Sequence, residues 1–273
     1  MTTDVSRAVA DAYRALGAPA ERERIEEFRL VRAMAFAERV AGGYAGKRVL
    51  ELGSSVGIHL VAAKRAGARE AVGLDKYIFP ESGESPFRHG AETHAALSRV
   101  WAAEGVRVLP HDLAERFPFP DGSFDLVICH AAIEHFHGIH KQVFAEAFRV
   151  LAAGGRFVFS TPNIASLLKR VRFTIGRSPN WDIKDYFDAG TAFTGHVREF
   201  TVAECRAMLS WSGFTPVSVV ARPGYFRWRW LRNPRKMHYV LFQAVSLLSA
   251  RWGDFIYAAG KKPGTIDAAS KSG

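Results

Sequence analysis

The sequence predicts an α/β fold with a doubly wound, mostly parallel β-sheet. Short apolar runs alternate with helix-like stretches between residues 49 and 160, and this alternation is typical of right-handed βαβ units. The first apolar run contains an acidic residue and leads into a glycine-containing turn, Gly53–Gly57, that opens a helix, as at the ligand-binding edge of such sheets. With 273 residues and 48% hydrophobic content, one domain with insertions is expected rather than two equal domains.

Helical periodicity dominates the N-terminal segment. Apolar residues recur at spacings of three and four from about Asp4 to Ala41, which predicts an N-terminal helical cover over residues 1–44. The first strand is predicted at Val49–Leu52, where three of the four residues are apolar, and the helix after the turn at Ile58–Ala66.

The following elements repeat this pattern. Further strands are predicted at Ala71–Leu74, Val106–Leu109, Phe124–Cys129 and Arg156–Ser160, and helices near Ala91–Glu104 and Lys141–Leu151. Between them, Lys76–Gly90 is rich in Pro, Gly and Ser and is predicted to be a loop. Gly154 and Gly155 suit the end of a helix.

The regular alternation breaks after Thr161. Residues 162–199 form a long, basic, irregular insertion, after which a helix at Thr201–Trp211 and a strand at Pro216–Ala221 restore the pattern. A second insertion, 222–252, precedes the last predicted strand, Asp254–Ala259. The main domain therefore covers residues 45–262, and the Ala, Ser, Lys and Gly content of the tail, 263–273, predicts disorder.

Composition limits the cellular setting and the partners. No apolar run reaches the roughly 18–20 residues that span a bilayer, and the first residues lack the basic and apolar regions of a secretory signal. Cys129 and Cys205 are too few for a disulfide framework, so a cytoplasmic location is expected. The net charge of +10 favours anionic partners.

Polar residues follow the predicted strands at the edge where ligands of open parallel sheets bind. A carboxylate beside the first turn would repel a pyrophosphate but suits an ammonium or sulfonium group, which indicates S-adenosylmethionine (SAM) rather than a dinucleotide. An acidic residue about twenty positions beyond the turn suits ribose hydroxyls. The candidate cofactor-binding residues are Glu51, Gly53, Ser54, Ser55, Gly57, Asp75, Lys76, Asp112, Leu113 and His130.

These motifs, in this order, resemble the class I SAM-dependent methyltransferases. The resemblance rests on Val49–Gly53, Gly73–Asp75, His111–Leu113, Phe117–Asp125 with Ile133–His135, and Arg149–Leu151 before Gly154–Gly155, and it covers about residues 45–220. It implies a Rossmann-like, seven-stranded sheet with SAM as the cofactor. It assigns the methionine end to Glu51, Gly53 and Gly57, the ribose to Asp75, and the adenine to Asp112 and Leu113. In one departure, Ser55 stands where the family usually has glycine.

The reacting end is predicted after the fourth strand. Methyl transfer to a hydroxyl needs a close nucleophile and often a base for its proton. Candidates lie in two clusters, which are His130, Glu134, His135, His137 and His140, and the stretch Gly195–Thr201. We favour His135 or His196 as a base or substrate orienter and expect His137 and His140 on the surface. Alternatively, His196 anchors the helix that starts near Thr201, and Arg198 and Glu199 form a surface ion pair.

Part of this pattern resembles methyltransferases of ubiquinone synthesis and of polysaccharide gene clusters, and more distantly the plant small-RNA 2′-O-methyltransferases. Some of those relatives hold a divalent metal on a Glu-x-x-Glu-His set and a later histidine. Glu134, His135 and His196 match that set, but Ala131 stands at the first glutamate position. Because the missing carboxylate weakens a hard-cation site, we expect no metal, with Glu134, His135 and His196 as the alternative site.

The two insertions indicate the acceptor. Lys169, Arg170, Arg172 and Arg177 lie in the first, and arginine and tryptophan alternate over 225–232 in the second, before an apolar run. Three interpretations stay open, namely a helical lid over the substrate, a segment that contacts an anionic membrane surface, and a surface that stacks on single-stranded nucleic acid. Nucleic acid is the least favoured, and the oligomeric state is not indicated.

The predicted function is SAM-dependent O-methylation of a sugar, lipid-linked or secondary-metabolite acceptor, as in natural-product or polysaccharide biosynthesis. This would take place in the cytoplasm, with peripheral contact to the inner membrane face as an extension. The alternatives are methylation of RNA or of a nitrogen or carbon atom, and, outside the enzymes, a membrane-associated binding or scaffold protein with the same fold.

Overall fold

The computed structural model describes residues 2–17, 20–80, 90–180, 183–189, 194–224 and 234–264. Seven strands form one sheet: β1 (Arg48–Leu52), β2 (Glu70–Asp75), β3 (Arg107–Pro110), β4 (Phe124–His130), β5 (Leu151–Pro162), β6 (Val217–Arg222) and β7 (Phe255–Lys261). The helices are α1 (Thr2–Ala15), α2 (Ala20–Ala41), α3 (Ile58–Arg65), α4 (Ala91–Glu104), α5 (His140–Val150), α6 (Leu167–Thr174), α7 (Ile183–Ala189), α8 (Val202–Trp211) and α9 (Pro234–Ser246). A 3-10 turn covers Ile133–His135.

The strand order is β3-β2-β1-β4-β5-β7-β6, with β7 antiparallel to both of its neighbours and the other pairs parallel. The predicted mostly parallel, seven-stranded α/β fold is therefore confirmed. The chain reverses its direction of sheet growth between β1 and β4, and ligands of doubly wound sheets bind at such a switch point. The carboxyl ends of β1, β2 and β4 meet there.

Two apolar cores cover the two faces of the sheet. One core lies beneath α1, α2, α3 and α4, and the other lies beneath α5 and α8. The central strand β1 is buried along Val49–Leu52 because both of its faces are covered. In particular, α1 packs on α3 and α2 packs on β5 and β7, so the N-terminal helices lie against the sheet beside the switch point.

The structure differs from the sequence-based elements in the insertions and near β5. Short helices, α6 and α7, occur in the stretch predicted to be irregular, and α9 occupies part of the second insertion. The prediction that Gly154 and Gly155 end a helix was wrong, because α5 ends at Val150 and both glycines lie inside β5. The tryptophan- and arginine-rich stretch 225–233 and the tail from 265 onward lie outside the described residues.

Within the described ranges, no helix combines the length and the apolar character that a bilayer crossing requires. Both cysteines are buried and free.

Candidate functional site

The turn after β1 is tightly folded and lies over β2. Backbone φ is positive at Gly53 (+69°), Ser55 (+48°) and Gly57 (+83°), and the amides of Gly53 and Ser54 donate to the carbonyl of Leu74. A Cβ atom at Gly73 would overlap the Ser54 hydroxyl, so a small residue in β2 is needed for this close approach. The turn therefore brings its backbone to the switch point, where a ligand would contact it.

Glu51 is a buried carboxylate that the protein satisfies only in part. Its Oε1 lies 3.3 Å from Nδ1 of His59 on α3, whereas Oε2 is buried without a hydrogen-bond partner among the described residues. Burial raises the pKa of Glu51, and the neighbouring His59 partly offsets this rise. Because an unsatisfied buried carboxylate oxygen is costly, a cationic ligand group at Oε2 would relieve the cost. This is the chemistry that the ammonium of SAM requires.

Asp75 organises the turns on either side of it. Its Oδ2 accepts a hydrogen bond from the amide of Ser55 at 2.9 Å, and its Oδ1 accepts from the amides of Tyr77 and Ile78. A carboxylate has about four lone-pair positions, so Asp75 retains the capacity to accept a ribose hydroxyl. The same interactions hold Ser55 in its left-handed conformation.

Lys76 and Asp112 form an ion pair beside this site, with 2.5 Å between Nζ and Oδ2. The other Asp112 oxygen accepts from the amide of Ala114, and the contact with Lys76 lowers the pKa of Asp112. Leu113 next to it is buried. These positions fit an adenine pocket with an acidic rim, and the adenine roles of Asp112 and Leu113 stay predictions.

His130 ends β4 beneath the switch point. Its Nδ1 contacts the hydroxyl of Ser160 on β5, and its ring centre lies 6.3 Å from that of His59. Burial lowers the pKa of His130 well below its usual value, so the imidazole is neutral at physiological pH. His130 therefore contributes a neutral polar wall between Glu51 and β5.

Glu134, His135 and His196 come together just after β4, where the 3-10 turn meets the segment before α8. The carbonyl of Glu134 accepts hydrogen bonds from the amides of Val197 and Arg198, which joins the 3-10 turn to the segment before α8. The ring centres of His135 and His196 are 5.1 Å apart. The Glu134 carboxylate is 1% exposed, accepts from the Thr161 hydroxyl at 3.0 Å, and has its pKa raised by burial to about 7.

The contacts of the two imidazoles indicate their tautomers. Nδ1 of His135 lies 3.1 Å from the carbonyl oxygens of both Thr194 and Gly195, so Nδ1 carries the hydrogen and Nε2 the lone pair. Burial, and the neighbouring His196, lower the pKa of His135. Nδ1 of His196 donates to Oε1 of Glu199 at 2.9 Å. Each ring thus has its basic nitrogen at Nε2, which suits a general base or a metal ligand.

Glu199 positions His196 rather than forming a surface pair. It is buried, and besides His196 it binds Lys169 of α6. Burial raises the pKa of Glu199, but the contacts with His196 and Lys169 more than offset this, so the pKa is lowered overall. The alternative interpretation, a surface pair of Arg198 with Glu199, is wrong, because Arg198 binds Glu204. Thr201, not His196, caps α8 through a capping box with Glu204.

The donor set of Glu134, His135 and His196 fits a divalent metal ion. One ligand atom from each residue lies within 4.8 Å of the others. The Nδ1 atoms of both rings are held by oxygen acceptors, as is usual for metal-binding histidines. Two imidazoles and one carboxylate suit transition metals better than Mg²⁺ or Ca²⁺.

Sequence reasoning missed three residues that contact the candidate site residues, namely His59 on α3, Thr161 on β5 and Lys169 on α6. None of the three was assigned to the site, although a histidine among the apolar residues of α3 was a visible signal. The predicted surface position is correct for His137, which is exposed. It is wrong for His140, whose Nε2 lies 2.9 Å from the carbonyl oxygen of Ile133 and whose ring packs on Phe200.

Comparison with known proteins adds similarity in sequence and in fold. Residues 50–159 match the family model described as a methyltransferase domain. A protein of Mycolicibacterium smegmatis named a probable S-adenosylmethionine-dependent methyltransferase is 33% identical over 179 residues, which are 65% of this chain and 55% of that protein. The ubiquinone biosynthesis O-methyltransferase of Acinetobacter baylyi is 31% identical over 123 residues, covering 45% and 47% of the two chains. The chain thus spans about half the length of these relatives.

Among solved structures, the fold is similar to phosphoethanolamine N-methyltransferase 2 of Haemonchus contortus, solved with phosphomonomethylethanolamine and S-adenosylhomocysteine. The TM-score is 0.54 at 16% identity, and the match covers 85% of this chain and 52% of that one.

Proposed function

Because the chain carries a class I SAM-dependent methyltransferase domain, we propose that it transfers a methyl group to an oxygen of a sugar, lipid-linked or secondary-metabolite acceptor. SAM supplies the electrophilic methyl group on its sulfonium. The observation that carries the proposal is the pairing of a half-satisfied buried carboxylate, Glu51, with two imidazoles whose lone pairs lie on Nε2. The first suits a cationic donor, and the second suits removal of a hydroxyl proton.

The cofactor-side residues have separate roles in this proposal. Glu51 and the backbone of Gly53, Ser54, Ser55 and Gly57 hold the methionine end of the donor. Asp75 accepts the ribose hydroxyls, Asp112 and Leu113 with Lys76 border the adenine, and His130 closes the wall beside β5. The hydrogen bond from the Ser55 amide to Asp75 supports this division of roles. Through it, one turn orients both the residues that hold the methionine end and the residue that holds the ribose.

On the acceptor side, His135 or His196 takes the proton of the acceptor hydroxyl on Nε2. The carbonyls of Thr194 and Gly195 keep the ring of His135 in place, and Glu199 stabilises the imidazolium that forms on His196. If the site holds a divalent metal, Glu134, His135 and His196 would bind it, and the ion would lower the pKa of the acceptor hydroxyl as a Lewis acid. Activity that survives prolonged chelation would favour the base.

Turnover of SAM to S-adenosylhomocysteine with candidate acceptors tests the proposal. We expect the His135→Ala, His196→Ala double variant to lose about 10²–10⁴-fold in turnover, the usual contribution of a general base, while S-adenosylhomocysteine binds as before. His137→Ala, which removes an exposed histidine of the same loop, is the matched control. A chain that binds SAM but methylates no acceptor would support the scaffold alternative, and salt-sensitive RNA binding would support RNA as the acceptor.

We also propose that the acceptor or its carrier lies at an anionic membrane surface on the cytoplasmic side. Residues 164–180 contain four Lys or Arg and residues 222–253 contain seven, without an Asp or Glu in either stretch. These eleven charges exceed the net charge of +10 for the whole chain. On or just after the described helices α6 and α9 of these stretches, large apolar side chains are exposed at Phe173, Ile175, Leu241, Leu247 and Leu248. Basic residues beside exposed apolar ones are typical of interfacial segments.

A further inference from the structure

A line of buried polar contacts connects the N-terminal cover to Glu51. The Tyr44 hydroxyl donates to the carbonyl of Met34 at the long distance of 3.4 Å and lies 3.2 Å from Nε2 of His59. Nδ1 of His59 then faces Glu51 at 3.3 Å. None of the side chains of Tyr44, His59 and Glu51 is more than 6% exposed. The contacts therefore run from α2, through α3, to the end of β1.

Two buried polar atoms of this line, Oε2 of Glu51 and Nδ1 of His59, have no hydrogen-bond partner within the described part of the chain. Buried ionisable groups that serve packing alone normally have all their polar atoms paired. Here Glu51 directs one oxygen at His59, while the other is buried and has no partner in the described part of the chain. Glu51 lies two residues before the turn that begins at Gly53. The open oxygen thus belongs to the residue that the resemblance assigns to the methionine end of SAM.

We propose that His59 and Tyr44 are positioning residues, which fix the Glu51 carboxylate so that its open oxygen receives the α-ammonium of the methyl donor. This rests on the proposed function. His59 holds Oε1 and thereby the plane of the carboxylate. Tyr44 holds the His59 ring, and its own hydroxyl is anchored on Met34 of α2. The N-terminal cover in this way acts on donor binding through Tyr44, His59 and Glu51.

The surroundings of Glu51 give this arrangement a pH dependence. Glu51 faces His59 on α3, Asp75 on β2 and Cys129 on β4. His130 on β4 faces His59 and is also affected by the charge of Arg29 on α2. Tyr44 faces Glu38 on α2. Burial raises the pKa of Glu51, Asp75 adds to the rise, and His59 opposes it. Removing His59 therefore raises the pKa of Glu51 further. As the pH is lowered, Glu51 of a variant without His59 is then protonated at a higher pH, and the ammonium of the donor loses its ionised partner there.

Calorimetry with two ligands tests the proposal. S-adenosylhomocysteine carries the amino-acid portion, whereas 5′-methylthioadenosine has the same nucleoside and sulfur without it. We expect His59→Leu to lower the affinity for S-adenosylhomocysteine about 10-fold, as for loss of one charge-assisted contact. The affinity for 5′-methylthioadenosine should stay within about twofold of the wild-type value. His59→Asn, which keeps an amide near the Nδ1 position, should restore part of the loss. As the pH is lowered, the affinity of His59→Leu for S-adenosylhomocysteine should also begin to fall at a higher pH than the affinity of the wild type does.

Tyr44→Phe keeps the test decisive if His59→Leu fails to fold, because it removes a single hydroxyl. We expect Tyr44→Phe to lower the affinity for S-adenosylhomocysteine by a smaller factor, about threefold, and to leave the affinity for 5′-methylthioadenosine unchanged. Equal weakening of both ligands, or no change for either, would overturn the positioning role and leave the proposed function intact. A wild-type chain that binds neither ligand would overturn both.

Discussion

Ser55 is a residue whose backbone conformation departs from what its side chain prefers. Its φ of +48° lies in the left-handed region, which costs a residue other than glycine about 1 kcal/mol. The structure compensates through the hydrogen bond from the Ser55 amide to Asp75. The resemblance described above implies glycine at this position, and the positive φ of Ser55 is a conformation that glycine adopts without cost.

We expect Ser55→Gly to leave the free energy of unfolding unchanged or to raise it by up to about 1 kcal/mol, because the gain from relaxed φ exceeds the entropy cost of glycine only slightly. Ser55→Val should lower it by about 1–2 kcal/mol, since a β-branched residue tolerates this region poorly. Urea denaturation of both variants, with Ser55→Ala as the reference for loss of the hydroxyl, checks this order. A valine variant as stable as the wild type would contradict it.

The sequence allowed the site residues to be predicted by position but not by partner. Glu51, Asp75 and His130 were predicted at the strand ends because carboxyl ends of parallel strands share one edge, and the structure has them there. Their hydrogen bonds depend on contacts distant in the chain, such as Lys76 with Asp112 and Glu199 with Lys169. No local pattern encodes such pairs. The catalytic and cofactor roles themselves remain predictions.

At the scale of elements, the contacts of Arg149 give the Arg149–Leu151 motif a structural role. From the last turn of α5, Arg149 donates to the Glu146 carboxylate, to Asp121, and to the carbonyls of Phe117 and Phe119. Glu146 in turn accepts from the amide of Phe117. The Arg149–Leu151 motif thus joins α5 to the loop before β4 and lies outside the cofactor site.

We expect Arg149→Lys to lower the free energy of unfolding by about 1–3 kcal/mol, because lysine cannot reproduce the planar set of donors. The bond to Arg149 lowers the pKa of Glu146 below its usual 4.5, so its stabilisation is present above that pH and is lost as the pH falls through the lowered value. The difference between variant and wild type should therefore shrink in acid.

Urea denaturation at neutral pH and below about pH 4 measures this difference. Arg107→Lys is the matched control, because its pair with Glu70 is exposed and should contribute below about 1 kcal/mol. A pH-independent difference for Arg149→Lys would show that the bond to Glu146 is not its source.

Two of the elements that the sequence did not predict, α6 and α7, are short. The strands and long helices of residues 45–160 carry strong periodic patterns and were predicted within a few residues. Helices α6 and α7, of eight and seven residues, are too short to be stable alone, so they depend on tertiary contacts. For α6 these include packing on α9 and the ion pair of Lys169 with Glu199. Composition alone therefore left this stretch irregular.

At the scale of the whole molecule, charge and exposed apolar surface coincide on the insertions. Phe173 on α6, Phe187 on α7 and Leu248 after α9 expose 69%, 81% and 81% of their surface. The same insertions supply Lys169, which holds Glu199 and through it His196. A surface that contacts a bilayer would thus be linked directly to the proposed base. The cytoplasmic location and the domain boundaries 1–44 and 45–262 remain predictions.

Vesicle sedimentation tests the membrane proposal. We expect the chain to pellet with vesicles containing phosphatidylglycerol at about 50 mM salt, to stay in solution with pure phosphatidylcholine, and to be released as salt screens the charges. Arg172→Gln with Arg177→Gln should weaken binding at least about 10-fold, since each basic residue near an anionic surface contributes about 1 kcal/mol. Phe173→Ser should weaken it at any salt concentration, because its contribution is apolar.

The matched control, Arg99→Gln with Arg116→Gln, removes the same charge from exposed positions outside the insertions. If both double variants lost binding equally, attraction would come from net charge rather than from this surface. Failure to pellet with anionic vesicles at low salt would exclude a bilayer partner and favour the closed-lid interpretation, in which the apolar side chains of α6 and α9 contact the acceptor itself. The two interpretations also differ in kinetics, because only a bilayer-bound enzyme would gain turnover on a lipid-linked acceptor when anionic lipid is added.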